Sequence, residues 1–126
     1  MTAVDDAASA VEARVTDALP WMLLQYPNLD WPWVLRQAKA HDLQNRLGFV
    51  LSVARELAEL RGEANTADTL ATCERMLEPS RLQREDTFRE TMSQVERRWL
   101  RLHRPSNAAH WNMLSTMTAR ELARAY

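Results

Sequence analysis

Gly48 and Gly62 are the only glycines among 126 residues, and that scarcity limits what the chain can become. Turn-rich sandwiches and barrels lean on glycine wherever the backbone reverses, so a β architecture of this length is poorly served. Apolar residues make up 46% and charged residues 26%, the balance of a chain that buries a core rather than one that stays disordered. Apolar positions also recur at steps of three and four. The sequence therefore predicts an all-α fold, a compact orthogonal bundle of about six helices forming a single domain over 1–126.

The helices can be placed. Val4, Ala8, Val11, Val15 and Ala18 predict a first helix over 4–19 that Pro20 ends or kinks, followed by a short apolar segment, 21–26. Asp30 is a candidate N-cap for a second helix over 31–41, with Pro32 at its tolerant start. Asp42 is read as the cap of a third helix that runs to Arg61. Its buried stripe is Leu43, Leu47, Val50, Leu51, Ala54, Leu57 and Ala58, and Gly62 closes it at C′. Asn65 is read as the cap of a fourth helix over 66–77, broken by Pro79. Ser80-x-x-Gln83 has capping-box spacing, and predicts a fifth helix to His103 with Leu82, Phe88, Met92, Val95, Trp99 and Leu102 inside. Pro105 stops it. A short helix around Trp111 and Leu114 follows, and Thr118-x-x-Glu121 opens a last one to Tyr126.

Several chemistries lack their residues. Cys73 is the sole cysteine, which excludes a disulfide framework and a thiolate zinc site. No pair among His41, His103 and His110 has the i, i+4 spacing of a helical zinc site. Glu85-Asp86, like Asp5-Asp6, are sequence neighbours and point about 100° apart on a helix, so neither pair forms a catalytic dyad. Neither a phosphate-cradling glycine loop nor a nucleophile elbow is present. The expectation is a non-enzymatic protein with no cofactor and no metal.

No apolar run reaches the roughly 18 residues of a membrane span, and the N-terminal Met-Thr-Ala-Val-Asp-Asp lacks the features of a signal peptide. A cytoplasmic protein without a membrane partner is expected. Lys39 is the only lysine beside fifteen arginines; with abundant alanine this has the look of high-GC bacterial coding.

Two constellations could contact a partner. Arg97, Arg101 and Arg104 share one broad helix face with Arg98 at its side, close to Trp99; they can serve a partner, or simply complement the helix C-terminus while Trp99 is buried. Trp31 and Trp33 flank Pro32 and are either hot-spot anchors or core. Separately, the helix pair joined at Asp42 has the outline of a helix-turn-helix whose second helix offers Gln44, Asn45 and Arg46, types able to pair with base edges. Asp42 stands where that turn usually carries glycine, and the helix after it is strongly apolar, which suits a plain helical hairpin.

Asp30-Trp-Pro-Trp-Val-Leu followed by Asn45-Arg-Leu-Gly-Phe-Val-Leu51 resembles a tract in the C-terminal part of AbiEi-type antitoxins and related bacterial regulators. It covers about 22 residues. The winged DNA-binding segment of those proteins has no counterpart here, so the resemblance implies a helical module that regulates or contacts a partner. The functional expectation is a bacterial regulatory protein acting through a protein partner or self-association, through Trp31, Trp33, Arg97, Arg101 and Arg104. Two alternatives stay open: nucleic-acid binding through Gln44, Asn45, Arg46 and Arg98, and a helical-bundle enzyme in which His103 and His110 meet a carboxylate.

Overall fold

A computed structural model describes residues 15–89 and 91–125. Among them, α1 covers 15–25, α2 Trp31–Ala40, α3 Gln44–Leu60 and α4 Ala64–Leu77, which a 3-10 turn, Glu78–Ser80, extends. After a loop come α5, Gln94–His103, α6, Ser106–His110, and α7, Ala119–Ala125. The fold is an all-α helical bundle. Its only strand-like pairing among the described residues is an isolated bridge between Asp86 and Met113. No helix there is long and apolar enough to cross a membrane.

Helix α3 is the axis of the molecule. The predicted stripe is largely buried, except that Leu43 is exposed and Leu47 half-buried, but so are Gln44, Asn45, Gly48, Phe49, Ser52 and Val53. A helix covered nearly all round needs neighbours on several sides, and α2, α4, α6 and α7 supply them. Ala67, Leu70, Cys73 and Leu77 form the buried face of α4, and burial pushes the Cys73 thiol up from its ordinary value, away from the reactive thiolate.

Asp30 caps α2 as predicted, its carboxylate accepting from the Trp33 amide at 3.3 Å. Three helices then end alike. Asp42, Gly62 and Asn112 have φ of 56°, 71° and 55°, and each sits at C′ of a Schellman motif. Leu43, Glu63 and Met113 donate back to Ala38, Ala58 and Ala108 at 2.8, 2.9 and 2.8 Å. Asp42 is thus a left-handed turn residue and not the cap of α3, because Asp and Asn reach this region at lower cost than other side chains. Leu43 takes the cap position, with no side-chain bond.

Other predicted boundaries move. Residues 4–14 of the first helix lie outside the described residues, as does Tyr126. Pro20 does not end α1: the helix continues through it to residue 25. An interior proline costs about 3 kcal/mol in lost bonding and clash, but Pro20 is fully buried and Leu24, one turn on, joins the core, so packing outweighs propensity. Asn65 lies inside α4, whose cap position is Glu63.

The largest departure is the fifth helix. Residues 81–89 and 91–93 are not helical, because the segment after Ser80 is stitched to the bundle by side-chain and bridge hydrogen bonds. The Asn45 carboxamide accepts from Leu82 N at 2.9 Å and donates to Leu82 O at 2.9 Å and Arg84 O at 3.3 Å. Asn112 Nδ2 adds a bond to Leu82 O at 2.8 Å. Asp86 N donates to Asn112 O at 2.8 Å, and Asp86 O accepts from Leu114 N at 2.9 Å. Backbone satisfied this way has no need of helix. The cap of α5 is Ser93, whose hydroxyl accepts from Glu96 N at 3.1 Å, and Pro105 follows its end as predicted.

Candidate partner-binding surface

On α5 the apolar residues Val95, Trp99 and Leu102 stand at i, i+4 and i+7, one stripe on one side. On an ordinary surface helix that stripe faces the core. Here Val95 is 77%, Trp99 52% and Leu102 76% exposed, and α5 contributes no buried residue. The predicted burial of Trp99 is therefore overturned: the loop before α5 presents Glu85, which engages Arg101 and Arg104 at the end of the helix.

Arg101 forms a bidentate pair with Glu85, Nε to Oε2 at 2.6 Å and Nη2 to Oε1 at 2.7 Å. Arg104 lies 3.9 Å from the same carboxylate and donates to Met113 O at 3.5 Å. Arg89 reaches back to pair with Glu96. Hydrogen bonding from Arg101 holds the Glu85 carboxyl below its usual range; partial burial opposes this, and the charges of Arg101, Arg104 and Arg97 assist. Leu100, on the inner side, lines a cavity of about 360 Å3 with Phe88, Leu114 and Met117. Outside, the His103 ring stacks on Trp99 with centroids 4.3 Å apart, and its Nδ1 donates to Trp99 O at 2.7 Å. The Trp99 ring thereby has a stacking partner, although it faces water.

No family model, curated protein or solved structure matches this chain. The reading of the surface thus rests on geometry.

The structure separates the residues singled out from sequence. Trp31 is buried, its indole N–H donating to Pro27 O at 3.0 Å, while Trp33 is half exposed on the lip of an apolar groove. Arg101 and Arg104 are engaged with Glu85, Arg97 lies near that carboxylate, and Arg98 is exposed with no ion-pair partner among the described residues. Gln44 and Asn45 are buried, so the second helix of the hairpin does not expose them as a DNA-reading helix does. Arg46 is bidentate to Asp86, at 2.8 and 3.0 Å. Glu85 and Asp86 serve different cations, Glu85 pairing with Arg101 and Asp86 with Arg46.

The histidines do not assemble a site. His110 Nε2 sits 2.7 Å from Glu78, with Arg81 Nη1 donating to His110 O at 3.0 Å, and His103 is occupied with Trp99. Among the described residues no three His, Cys, Asp or Glu side chains are grouped to hold a metal ion. Sequence reasoning missed Val95 and Leu102 as exposed residues. The available signal was Ser93-x-x-Glu96, a second capping box twelve residues inside the helix the first one predicts.

Proposed function

We propose that this chain is a non-enzymatic binding protein whose partner, another protein, docks on the outer face of α5. The observation that carries this reading is the orientation of the helix: Arg101 and Arg104 are turned to Glu85, and Val95, Trp99 and Leu102 are turned out. Exposing three large apolar side chains in a row opposes solubility and is rarely kept without a use. An i, i+4, i+7 stripe is the anchor pattern of helix recognition, and tryptophan is the residue type most often found at binding hot spots.

Charge narrows the partner's chemistry. On α5 and among its ion-pair partners, counting the described residues, Arg89, Arg97, Arg98, Arg101 and Arg104 stand against Glu85 and Glu96. An apolar helix with an acidic margin complements that surface. A regulatory, antitoxin-like setting is one in which such a module works. Direct base reading is disfavoured, because Asn45 and Gln44 are spent inside the fold.

The test uses the chain as bait against extract of its host, followed by titration of the purified captured protein against Trp99→Asp, Val95→Asp and Trp33→Asp. The first two are expected to weaken binding by about tenfold or more, with unchanged circular dichroism, and Trp33→Asp to bind as wild type. Equal affinity of all four proteins for the captured partner refutes the α5 surface.

A further inference from the structure

Helices α1, α2 and α3 leave between them an apolar groove of about 460 Å3, walled by Leu23, Val34, Leu47 and Val50 and closed on one side by Phe88 of the loop. That volume is in the range of small-molecule sites rather than packing defects. Such sites orient a ligand with a few polar groups at fixed places, and this groove has them: Arg46, His41 and Gln37 line it among otherwise apolar walls.

Arg46 is unusually well placed for a surface arginine. Asp86 takes its Nε and Nη2, and is itself fixed by accepting from Thr87 N at 2.8 Å. The fork is held at Nε and Nη2, and its third nitrogen, Nη1, has no hydrogen-bond partner among the described residues. The Arg46 side chain is 41% exposed, so an incoming group can reach Nη1 while a tail occupies the groove. Asp86 cancels much of the guanidinium charge. What remains is a pair of directed N–H donors, which suit a carboxylate better than a hydroxyl and repel an ammonium.

We infer that the groove binds an amphiphilic carboxylate, its aliphatic tail against Leu23, Val34, Leu47 and Phe88 and its head on Arg46 Nη1 beside His41. The site is separate from α5 and does not depend on the partner surface proposed there.

The test titrates the full chain with dodecanoate and dodecyltrimethylammonium below their micellar concentrations and with dodecanol below its solubility limit, read by calorimetry and by the change in tryptophan emission that Trp33→Phe removes. Saturable one-to-one binding of dodecanoate is expected, about tenfold tighter than dodecanol, with dodecyltrimethylammonium weakest. Arg46→Gln is expected to remove the preference while leaving dodecanol affinity unchanged. Val34→Trp, at a half-buried wall position, is expected to abolish binding of both, and Trp99→Asp to change neither. Should Arg46→Gln fail to fold without Asp86's partner, the head-group comparison on the wild-type chain decides alone. No saturable dodecanoate binding, as for a groove that takes a protein helix instead, overturns the inference. So does equal affinity for the acid and the alcohol, or full binding by Val34→Trp.

Discussion

The six-membered ring of Trp111 occupies the space that Gly48 leaves open: a Cβ at position 48 lies 2.4 Å from Cε3 and Cζ3 of that ring. Gly48 is mid-helix, where glycine is normally a weakness, and Trp111 is almost fully buried. The missing methyl is what lets α3 and the end of α6 approach each other.

Gly48→Ala is therefore expected to destabilise despite better helix propensity. Propensity returns roughly 1 kcal/mol, whereas overpacking a rigid, buried ring typically costs about 1–3 kcal/mol and here has no flexible end to yield. A net loss of about 1 kcal/mol, and at most about 2, in urea unfolding is the expected outcome. Gly48→Ala combined with Trp111→Leu is expected to lose less than the sum of the two single changes.

Asn45 makes the second prediction. Its carboxamide satisfies Leu82 on both backbone groups from a position with no solvent access. Asn45→Ala leaves the Leu82 N–H without its partner and Leu82 O with Asn112 Nδ2 alone, and is expected to cost about 1–3 kcal/mol. Hydrogen exchange checks the mechanism: protection is expected to fall first at the Leu82 and Asp86 amides, while α4 keeps its own. Equal loss everywhere points instead to a general core defect.

These two residues also show where the sequence stops being informative. Asp30, Pro105, Gly62 and Thr118 act through atoms three to five residues away, and their roles are visible in local spacing. Asn45 acts on Leu82, 37 residues on. Nothing local distinguishes a polar side chain that reads a distant backbone from one that faces water, so Gln44-Asn45-Arg46 reads as an exposed tip. The same blindness extended α5. Leu82, Phe88 and Met92 fall at near-helical spacing although their segment is held extended by Asn45, Asn112 and the Asp86 bridge. Once that loop is placed, Glu85 meets Arg101, and the helix turns its apolar side out. The groove beside Arg46 was equally invisible, since three helices and a loop residue must converge to make it.

The acid side of the stability profile separates two carboxylates of opposite sign. Glu85 is held below its ordinary value by Arg101, so the native state binds its proton less readily than the unfolded chain does. Its contribution is present above the unfolded value near 4.5 and is lost as pH falls through the lower folded value. Asp17 is pushed up by burial and by Glu121, so its ionisation opposes folding once pH rises above about 3.8, the unfolded value. Glu85→Gln is expected to flatten the acid limb of a stability titration, and Asp17→Asn to raise stability at neutral pH. Unchanged profiles in both variants contradict these assignments.

The inverted orientation of α5 predicts a mutational pattern opposite to that of a core-facing amphipathic helix. Val95 and Leu102 are more than three-quarters exposed, so Val95→Asp and Leu102→Asp are expected to change stability by no more than about 0.5 kcal/mol, the range of ordinary surface substitutions. Leu100, half-buried against the inner cavity, is expected to be the sensitive apolar position, with Leu100→Asp costing about 1–2 kcal/mol through lost packing and a partly desolvated charge. Arg101→Leu is expected to destabilise α5 docking even though it adds an apolar side chain, since it removes both hydrogen bonds to Glu85. Thermal unfolding of the four variants decides the point. Large losses at Val95 and Leu102 with tolerance at Leu100 place the stripe inside the protein and remove the basis for the partner surface.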